Sequence, residues 1–181
     1  MHIIRYQDPE GTIHFGSQNS DGSAVRCTCD LYAGLKETKE PARIAKLLAP
    51  LVPSQILCIG LNYRHHAAES GMKPPERPVL FTKGINTLQN PGDPIEIPVK
   101  AASTEVDYEC ELAVVIGKAC KNATPANALS YVLGYTCGND VSARDWQLKW
   151  GGGQWCRGKT LDTFSPLGPL SLIHISEPTR P

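Results

Sequence analysis

Apolar residues in this 181-residue chain come in short runs. The two longest, residues 56–61 and 112–117, have six residues each, whereas a helix needs about 20 apolar residues to cross a bilayer. The chain also contains 16 glycines and 15 prolines, residue types that end helices and form turns. These features predict many short strands joined by turns, and they exclude a membrane-spanning helix.

Charge and cysteine content argue against several classes of function. The 18 basic and 18 acidic side chains balance, so the chain lacks the basic surface that nucleic acid or an anionic membrane requires. The seven cysteines form no C-x-x-C pair, which indicates reduced thiols and argues against a zinc site at Cys27 and Cys29. No leader pattern stands at the amino terminus. We therefore expect a cytoplasmic protein, with a mitochondrial location as the alternative.

Turn residues divide the chain into three predicted regions, 1–53, 54–169 and 170–181. In the first, two β-prone runs around Asp8-Pro9-Glu10-Gly11 predict a hairpin, and helix formers after Pro41 predict a helix over 41–48. The second region has predicted strands at 56–60, 79–81, 108–117 and 132–139, and predicted helices at 63–70, 126–131 and 140–150. Because strands dominate without alternating with long helices, we expect a mixed α+β fold that is mainly β.

An acidic run leads into the longest predicted strand. Alternation in an extended chain places Glu105, Asp107, Glu109 and Glu111 on one face. Such a face is often solvated in an ordinary strand. Here the acids run directly into a wholly apolar segment, where unpaired carboxylates are costly. A divalent cation that bridges Glu109 and Glu111 would remove this cost.

Asp140 is the candidate for a third metal ligand, because it follows directly on the predicted strand 132–139. The alternative is that Asp140 caps the helix predicted after it. A set of oxygen ligands favours Mg²⁺, Mn²⁺ or Ca²⁺ over zinc.

Polar residues elsewhere could handle protons and substrate. His66 and Glu69 are spaced i, i+3 on a predicted helix, so the carboxylate can orient the imidazole as a general base, although surface helices often carry such pairs. Arg144 and Gln147 are expected to share Asp140's face of the predicted helix, and Lys159 follows a glycine run. The cations Arg144 and Lys159 suit a substrate with carboxylate and oxo groups. The alternative is that they are solvated surface charges.

Four segments together resemble the fumarylacetoacetate hydrolase family, in the arm of acylpyruvate hydrolases and oxaloacetate-handling relatives. They are GLNYRHHAAE (60–69), DYECELAVVIG (107–117), GNDVSARDWQ (138–147) and RGKTLDTFSPLGP (157–169). The resemblance implies a β-sandwich roll that binds Mg²⁺ or Mn²⁺, forms a homodimer at full length, and acts on small oxo acids.

Matched position by position, the resemblance assigns roles to the candidate residues. Glu109, Glu111 and Asp140 match metal ligands; His66 and Glu69 match a base pair on a lid; Arg144, Gln147 and Lys159 match substrate-contacting positions, with Lys159 assisting catalysis. The implied reaction is hydrolysis of a C–C bond in acylpyruvate-type 1,3-dicarbonyl acids. Tautomerisation or decarboxylation of oxaloacetate would use the same apparatus and remains open.

The carboxyl-terminal segment departs from this resemblance. The family continues well beyond residue 169, which predicts a roll incomplete at its carboxyl end. Residues 170–181 do not resemble the family and are expected to be a non-native tail, with a divergent strand as the alternative. A second hypothesis is therefore a catalytically silent fragment that at most binds metal or dimerises, with apolar faces left uncovered.

Overall fold

The chain begins with four consecutive antiparallel strands. They are β1 (His2–Gln7), β2 (Ile13–Gln18), β3 (Ala24–Thr28) and β4 (Lys36–Pro41). The computed structural model describes residues 1–69, 71–168 and 170–171. The predicted hairpin is confirmed, since Tyr6 pairs with His14 across a turn. That turn contains Gly11 at φ 88°, a left-handed conformation that glycine adopts without a Cβ clash.

The helix predicted over 41–48 is wrong. Pro41 ends β4, and a short strand, β5 (Lys46–Leu48), pairs with the free edge of β1. Leu47 lies opposite Tyr6 in this pairing. Helix propensity was outweighed here because an open strand edge supplies hydrogen bonds that a single isolated turn of helix would not.

The large sheet continues through the second region of the chain. β10 (Cys110–Ile116) and β11 (Val132–Asn139) are antiparallel neighbours, and β14 (Leu170–Ser171) pairs with both β11 and β1. The strand order is β10-β11-β14-β1-β2-β3-β4. The first two residues of the predicted non-native tail thus belong to this sheet, while 172–181 lie outside the described residues. The three-region division stays a prediction.

A separate hairpin stands beside the large sheet. β6 (Ile56–Gly60) and β7 (Val79–Lys83) pair antiparallel, with α1 (Arg64–Glu69) in their connection. The strand predictions for this region are confirmed, and α1 falls within the predicted helix 63–70, of which residue 70 lies outside the described residues.

Several short elements complete the described fold. They are β8 (Leu88–Gln89), β9 (Val106–Asp107), β12 (Ser142–Ala143), β13 (Ser165–Pro166), two 3-10 helices (Ile85–Thr87 and Ala128–Tyr131), a π-helix (Asp145–Trp150) and α2 (Cys156–Lys159). β9 pairs with β12, and β8 runs parallel to β13. The structure is mainly β with few helices, as predicted.

The acidic run is not one strip on a continuous strand. The chain is not paired as a strand between β9 and β10, so the four acids do not share one strand face. Glu105 pairs with exposed Lys149, and Asp107 pairs with Arg144. Asp107, Glu109 and Glu111 line one cavity, and Glu105 does not.

The helix predicted over 140–150 is also wrong in its first half. Residues 142–143 form β12, and a π-helix begins only at Asp145. Ser142 is buried in β12, and Asp145 accepts hydrogen bonds from the Ser103 hydroxyl and the Thr104 amide. Pairing of β12 with β9 determines the local structure in place of helix propensity.

Two small clusters form the described core. One contains Ile3, Leu31 and Val115, and the other contains Val141, Ala143 and Phe164. The second cluster contains Val141, the residue next to Asp140. Its packing therefore helps to hold the segment that carries Asp140 in place.

Apolar side chains on β6 and β10 remain exposed. Leu57 is 58% exposed and Leu112 is 52% exposed, and both line a groove of about 890 Å³ between these strands. The strand predicted at 56–60 is confirmed, and one face of it is exposed. No helix among the described residues is long and apolar enough to cross a membrane.

Candidate active site

A cavity of about 550 Å³ brings together most of the residues singled out from the sequence. The segment after β6, the break between β9 and β10, the start of the π-helix and α2 contribute to its walls. The sequence-predicted site residues that line it are Glu69, Glu109, Glu111, Asp140, Arg144, Gln147 and Lys159. The side chain of His66 lies outside the described part of the structure, so its pairing with Glu69 stays a prediction.

Glu109 is held by three donors. Its Oε1 lies 2.7 Å from Lys159 Nζ, 2.8 Å from Arg144 Nη1 and 2.8 Å from Ser142 Oγ. Burial alone would raise the pKa of the Glu109 carboxyl, but these donors, Lys159 foremost, hold the pKa below its usual range. Glu109 is therefore a fixed carboxylate anion.

Asp140 lies between two buried ammonium groups. Its Oδ1 is 2.6 Å from Lys83 Nζ, and its Oδ2 is 2.7 Å from Lys159 Nζ. The Asp140 amide also donates to the Glu109 carbonyl. The capping role considered for Asp140 does not apply, because the turn after β11 leads into β12.

Glu111 is the acid with the least compensation. No ion pair to Glu111 occurs among the described residues. Burial first, and then the negative charges of Asp140 and Glu109, raise the pKa of Glu111 to about 7. Three carboxyl groups thus meet close enough to repel one another at one wall of the cavity.

Lys159 is the central cation of the site. Its side chain is only 2% exposed, and its ammonium group bonds Glu109, Asp140 and Ser142, each at 2.7 Å. The preceding Gly158 permits this placement, because a Cβ there would lie 2.6 Å from both the Ala143 carbonyl oxygen and the Gln147 amide nitrogen.

Arg144 joins the rim of the cavity to its interior. Nε and Nη2 bind Asp107 Oδ2 at 3.1 and 2.8 Å, while Nη1 reaches Glu109 and, at 2.9 Å, Gln147 Oε1. Arg144 and Gln147 reach the same cavity as Asp140, as predicted. The shared helical face that led to this expectation does not exist.

Two residues of this network were missed by sequence reasoning. Lys83 ends an apolar strand, and Ser142 lies within the segment predicted as a helix. A lysine at the end of the strand VLFTK, two residues beyond Phe81, was the available signal, since buried lysines require an acidic partner.

The cavity residues have the chemistry of a hard-cation site. Carboxylate oxygens are the ligands that Mg²⁺ and Ca²⁺ prefer, and Glu111 pairs with no cation among the described residues. Within residues 1–69 and 71–168, however, no group of three or more His, Cys, Asp or Glu side chains is arranged to hold an ion. The ammonium group of Lys159 bonds both Glu109 and Asp140, each at 2.7 Å.

Buried titratable groups that meet at a cavity, one of them with a raised pKa, mark a candidate active site. Residues 55–180 match the family described as "Fumarylacetoacetate (FAA) hydrolase C-terminal". The chain belongs to this family.

Two named relatives carry different descriptions. A fumarylacetoacetate hydrolase domain-containing protein 2 homolog of Dictyostelium discoideum is 53% identical over 134 residues, which cover 74% of this chain and 43% of the relative. A mitochondrial oxaloacetate tautomerase of Xenopus laevis is 52% identical over 135 residues, which cover 73% of this chain and 42% of the relative. The chain thus spans less than half the length of these two curated relatives.

A solved structure has the same fold across nearly the whole chain. The 5-carboxymethyl-2-hydroxymuconate delta-isomerase of Mycobacterium smegmatis is 38% identical and superposes with a TM-score of 0.82. The match covers 99% of this chain and 69% of that protein.

Proposed function

We propose that this chain forms the active site of a divalent-metal-dependent enzyme that interconverts keto and enol forms of a small 2-oxo acid, with oxaloacetate as the leading substrate. The convergence of Glu109, Glu111 and Asp140 on one cavity carries this proposal. The 52% identity to an oxaloacetate tautomerase and the fold shared with an isomerase support a reaction that moves a proton next to a carbonyl.

The charge of the cavity supports a role for a metal ion. Five acidic residues line it: Glu69, Asp107, Glu109, Glu111 and Asp140. Among the described lining residues, the cations are Arg144 and Lys159, and both already bind carboxylates. An anionic oxo acid would be repelled by this net negative charge. Glu109, Glu111 and Asp140 would hold Mg²⁺, or alternatively Mn²⁺ or Ca²⁺, and the bound ion would polarise the oxo group and favour its enolate.

Residues of the chain itself supply the remaining chemistry. The amide of Gln147 and the guanidinium of Arg144 orient the substrate carboxylate at the inner end of the cavity. The ammonium of Lys159 stabilises the negative charge that develops on the enolate oxygen. His66, oriented by Glu69, removes the proton from carbon and returns it.

Hydrolysis of acylpyruvates is the second candidate. The match to a hydrolase family description and the Dictyostelium relative favour it. In this reaction His66 takes a proton from water, the resulting hydroxide attacks the distal carbonyl, and the C–C bond breaks to leave the pyruvate enolate. Decarboxylation of oxaloacetate would generate the same enolate.

The proposed function includes expectations about binding partners and cellular location. We propose a homodimer at full length that binds a small oxo acid, without nucleic acid or membrane contacts. A cytoplasmic location is our expectation, and the mitochondrial description of the Xenopus relative makes the mitochondrion the alternative.

A metal-dependence assay on the full-length protein tests the proposal. Oxaloacetate enol would be followed by ultraviolet absorbance, and acylpyruvate loss in parallel, after EDTA treatment and after addition of Mg²⁺. We expect EDTA to abolish tautomerisation, Mg²⁺ to restore it, and Glu109→Gln to lower it about 100-fold. Glu105→Gln is the matched control from the same acidic run, because Glu105 does not line the cavity.

Each outcome discriminates between the candidates. Metal-dependent cleavage of acylpyruvate without tautomerisation would favour the hydrolase. Mg²⁺ binding by calorimetry without any turnover would favour the silent module. Equal activity with EDTA and with Mg²⁺, or full activity of Glu109→Gln, would contradict the proposal.

A further inference from the structure

Lys83 is a buried cation that the proposed reaction does not use. It is the last residue of β7, and its side chain is 2% exposed. It does not line the cavity that contains Arg144 and Lys159. Burying an ammonium group is costly unless its hydrogen bonds are satisfied, so its placement requires an explanation.

All three N–H donors of Lys83 are already engaged. They reach Asp140 Oδ1 at 2.6 Å, the Val141 carbonyl at 3.0 Å and the Phe164 carbonyl at 2.8 Å. A lysine ammonium has three donors in total. Because these bonds account for its donors and Lys83 does not line the cavity, we place no substrate contact at Lys83.

These bonds connect three parts of the chain. Lys83 belongs to the β6-β7 hairpin, Asp140 and Val141 form the turn between β11 and β12, and Phe164 directly precedes β13. The ammonium group thus fixes the turn that carries Asp140 against a separate hairpin.

The two oxygens of Asp140 are divided between the two lysines. Oδ1 faces Lys83 on the buried side, and Oδ2 faces Lys159. A carboxylate held through Oδ1 cannot rotate about its terminal torsion without breaking the 2.6 Å contact. Its remaining oxygen is thereby presented in one direction.

We propose that Lys83 is a positioning residue that sets the orientation of the Asp140 carboxylate, so that Oδ2 alone serves the active site. Through this oxygen Lys83 also determines where the Lys159 ammonium lies. The expected effect of Lys83 on metal binding rests on the proposed function, whereas its effect on the orientation of the Asp140 carboxylate does not.

Three variants of the full-length protein test this role. Lys83→Met removes the charge and all donors. Lys83→Gln removes the charge but keeps amide donors for the carbonyls, so it remains informative if the Met variant does not melt cooperatively. Lys121→Met, at an exposed lysine, is the matched control.

Mn²⁺ affinity by electron paramagnetic resonance and the separation of kcat from KM provide the first readout. We expect Lys83→Met and Lys83→Gln to weaken Mn²⁺ binding by about 10 to 100-fold and to lower kcat similarly. KM for oxaloacetate should change far less, because Lys83 does not touch substrate. A cooperatively folded Lys83→Gln protein with wild-type Mn²⁺ affinity and kcat would overturn the inference.

Crystal structures of the wild type and of Lys83→Gln separate this inference from the proposed function. We expect the Asp140 carboxylate to rotate in the variant and its contact with Lys159 to be lost. If the wild type neither binds Mn²⁺ nor turns over, the proposed function fails, and these structures still decide the role of Lys83. An unchanged Asp140 carboxylate in the variant would overturn it.

Discussion

The ammonium group of Lys159 lies 2.7 Å from Oε1 of Glu109, a residue 50 positions earlier in the chain. This contact joins α2 to the break between β9 and β10. Both partners are shielded from water, so the pair depends on the packing that brings these segments together. The geometry of the site is therefore a property of the whole region from β9 to α2.

Replacing Lys159 tests how much this cation contributes to the reaction. We expect Lys159→Met to lower turnover of oxaloacetate by about 100 to 1000-fold, because a preorganised donor near the enolate is lost. Lys149→Met is the control, since Lys149 is exposed and pairs only with Glu105 in the described structure. Turnover within threefold of the wild type would contradict the role of Lys159.

Gly158 offers a test of how α2 positions its lysine. A methyl group at residue 158 would lie 2.6 Å from backbone atoms of Ala143 and Gln147, and backbone cannot move aside as a side chain can. We expect Gly158→Ala to reduce the free energy of unfolding by about 1 to 3 kcal/mol. Turnover should fall as well, because Lys159 is displaced.

Gly168→Ala is the matched control for this substitution. A Cβ at Gly168 meets nothing nearer than 3.8 Å, an ordinary packing distance. Urea unfolding of the two variants should therefore differ clearly. Equal stability of both would show that the Gly158 contact is not tight in solution.

Glu111 predicts a pH dependence of stability in metal-free protein. Its pKa rises from an ordinary value of 4.5 to about 7 in the folded state. Between these two values the folded form keeps a proton that the unfolded form has lost, so the free energy of unfolding falls as pH rises. We expect Glu111→Gln to remove this component of the decline.

Urea titrations in EDTA, from about pH 5 to about pH 8, measure this effect. Glu105→Gln is the control. Glu105 does not line the cavity, so this variant should keep the wild-type slope of the free energy of unfolding against pH. An identical slope in Glu111→Gln and wild type would show that Glu111 does not titrate in this range.

Exposed apolar side chains on β6 and β10 predict that the 181-residue chain on its own associates with itself. Leu112 and Val114 face outward in β10 and are about half exposed, and contiguous apolar surface promotes association. We expect the chain to bind a hydrophobic dye and to self-associate in light scattering. Leu112→Lys with Val114→Lys should reduce both effects. A monodisperse chain without dye binding would contradict this expectation.

Sequence reasoning identified most of the site because its residues sit at the ends of strongly patterned strands. Glu109 and Glu111 flank the start of β10, and Asp140 directly follows β11. The register that places Glu111 opposite Gly138 follows from pairing two long apolar runs. Such strands are the elements that pattern predicts best.

The short elements were predictable to a much smaller degree. Residues 41–48 and 142–143 have helical composition or capping residues, yet strand edges elsewhere in the fold recruit them. Lys83 was missed for the same reason, because its partner Asp140 is 57 residues away. Contacts of this range do not leave a local pattern.

The pairing of β10 with β11 has a consequence for the evolution of this chain. Side chains alternate across a strand, so one residue inserted or deleted in β10 would change the face on which Glu111 lies relative to the rest of the strand, and one in β11 would shift Asp140 relative to Glu111. The loops of the amino-terminal meander carry no such constraint. Homologues should therefore vary in length between β2 and β4 while preserving the spacing from residue 109 to residue 140 within the paired strands.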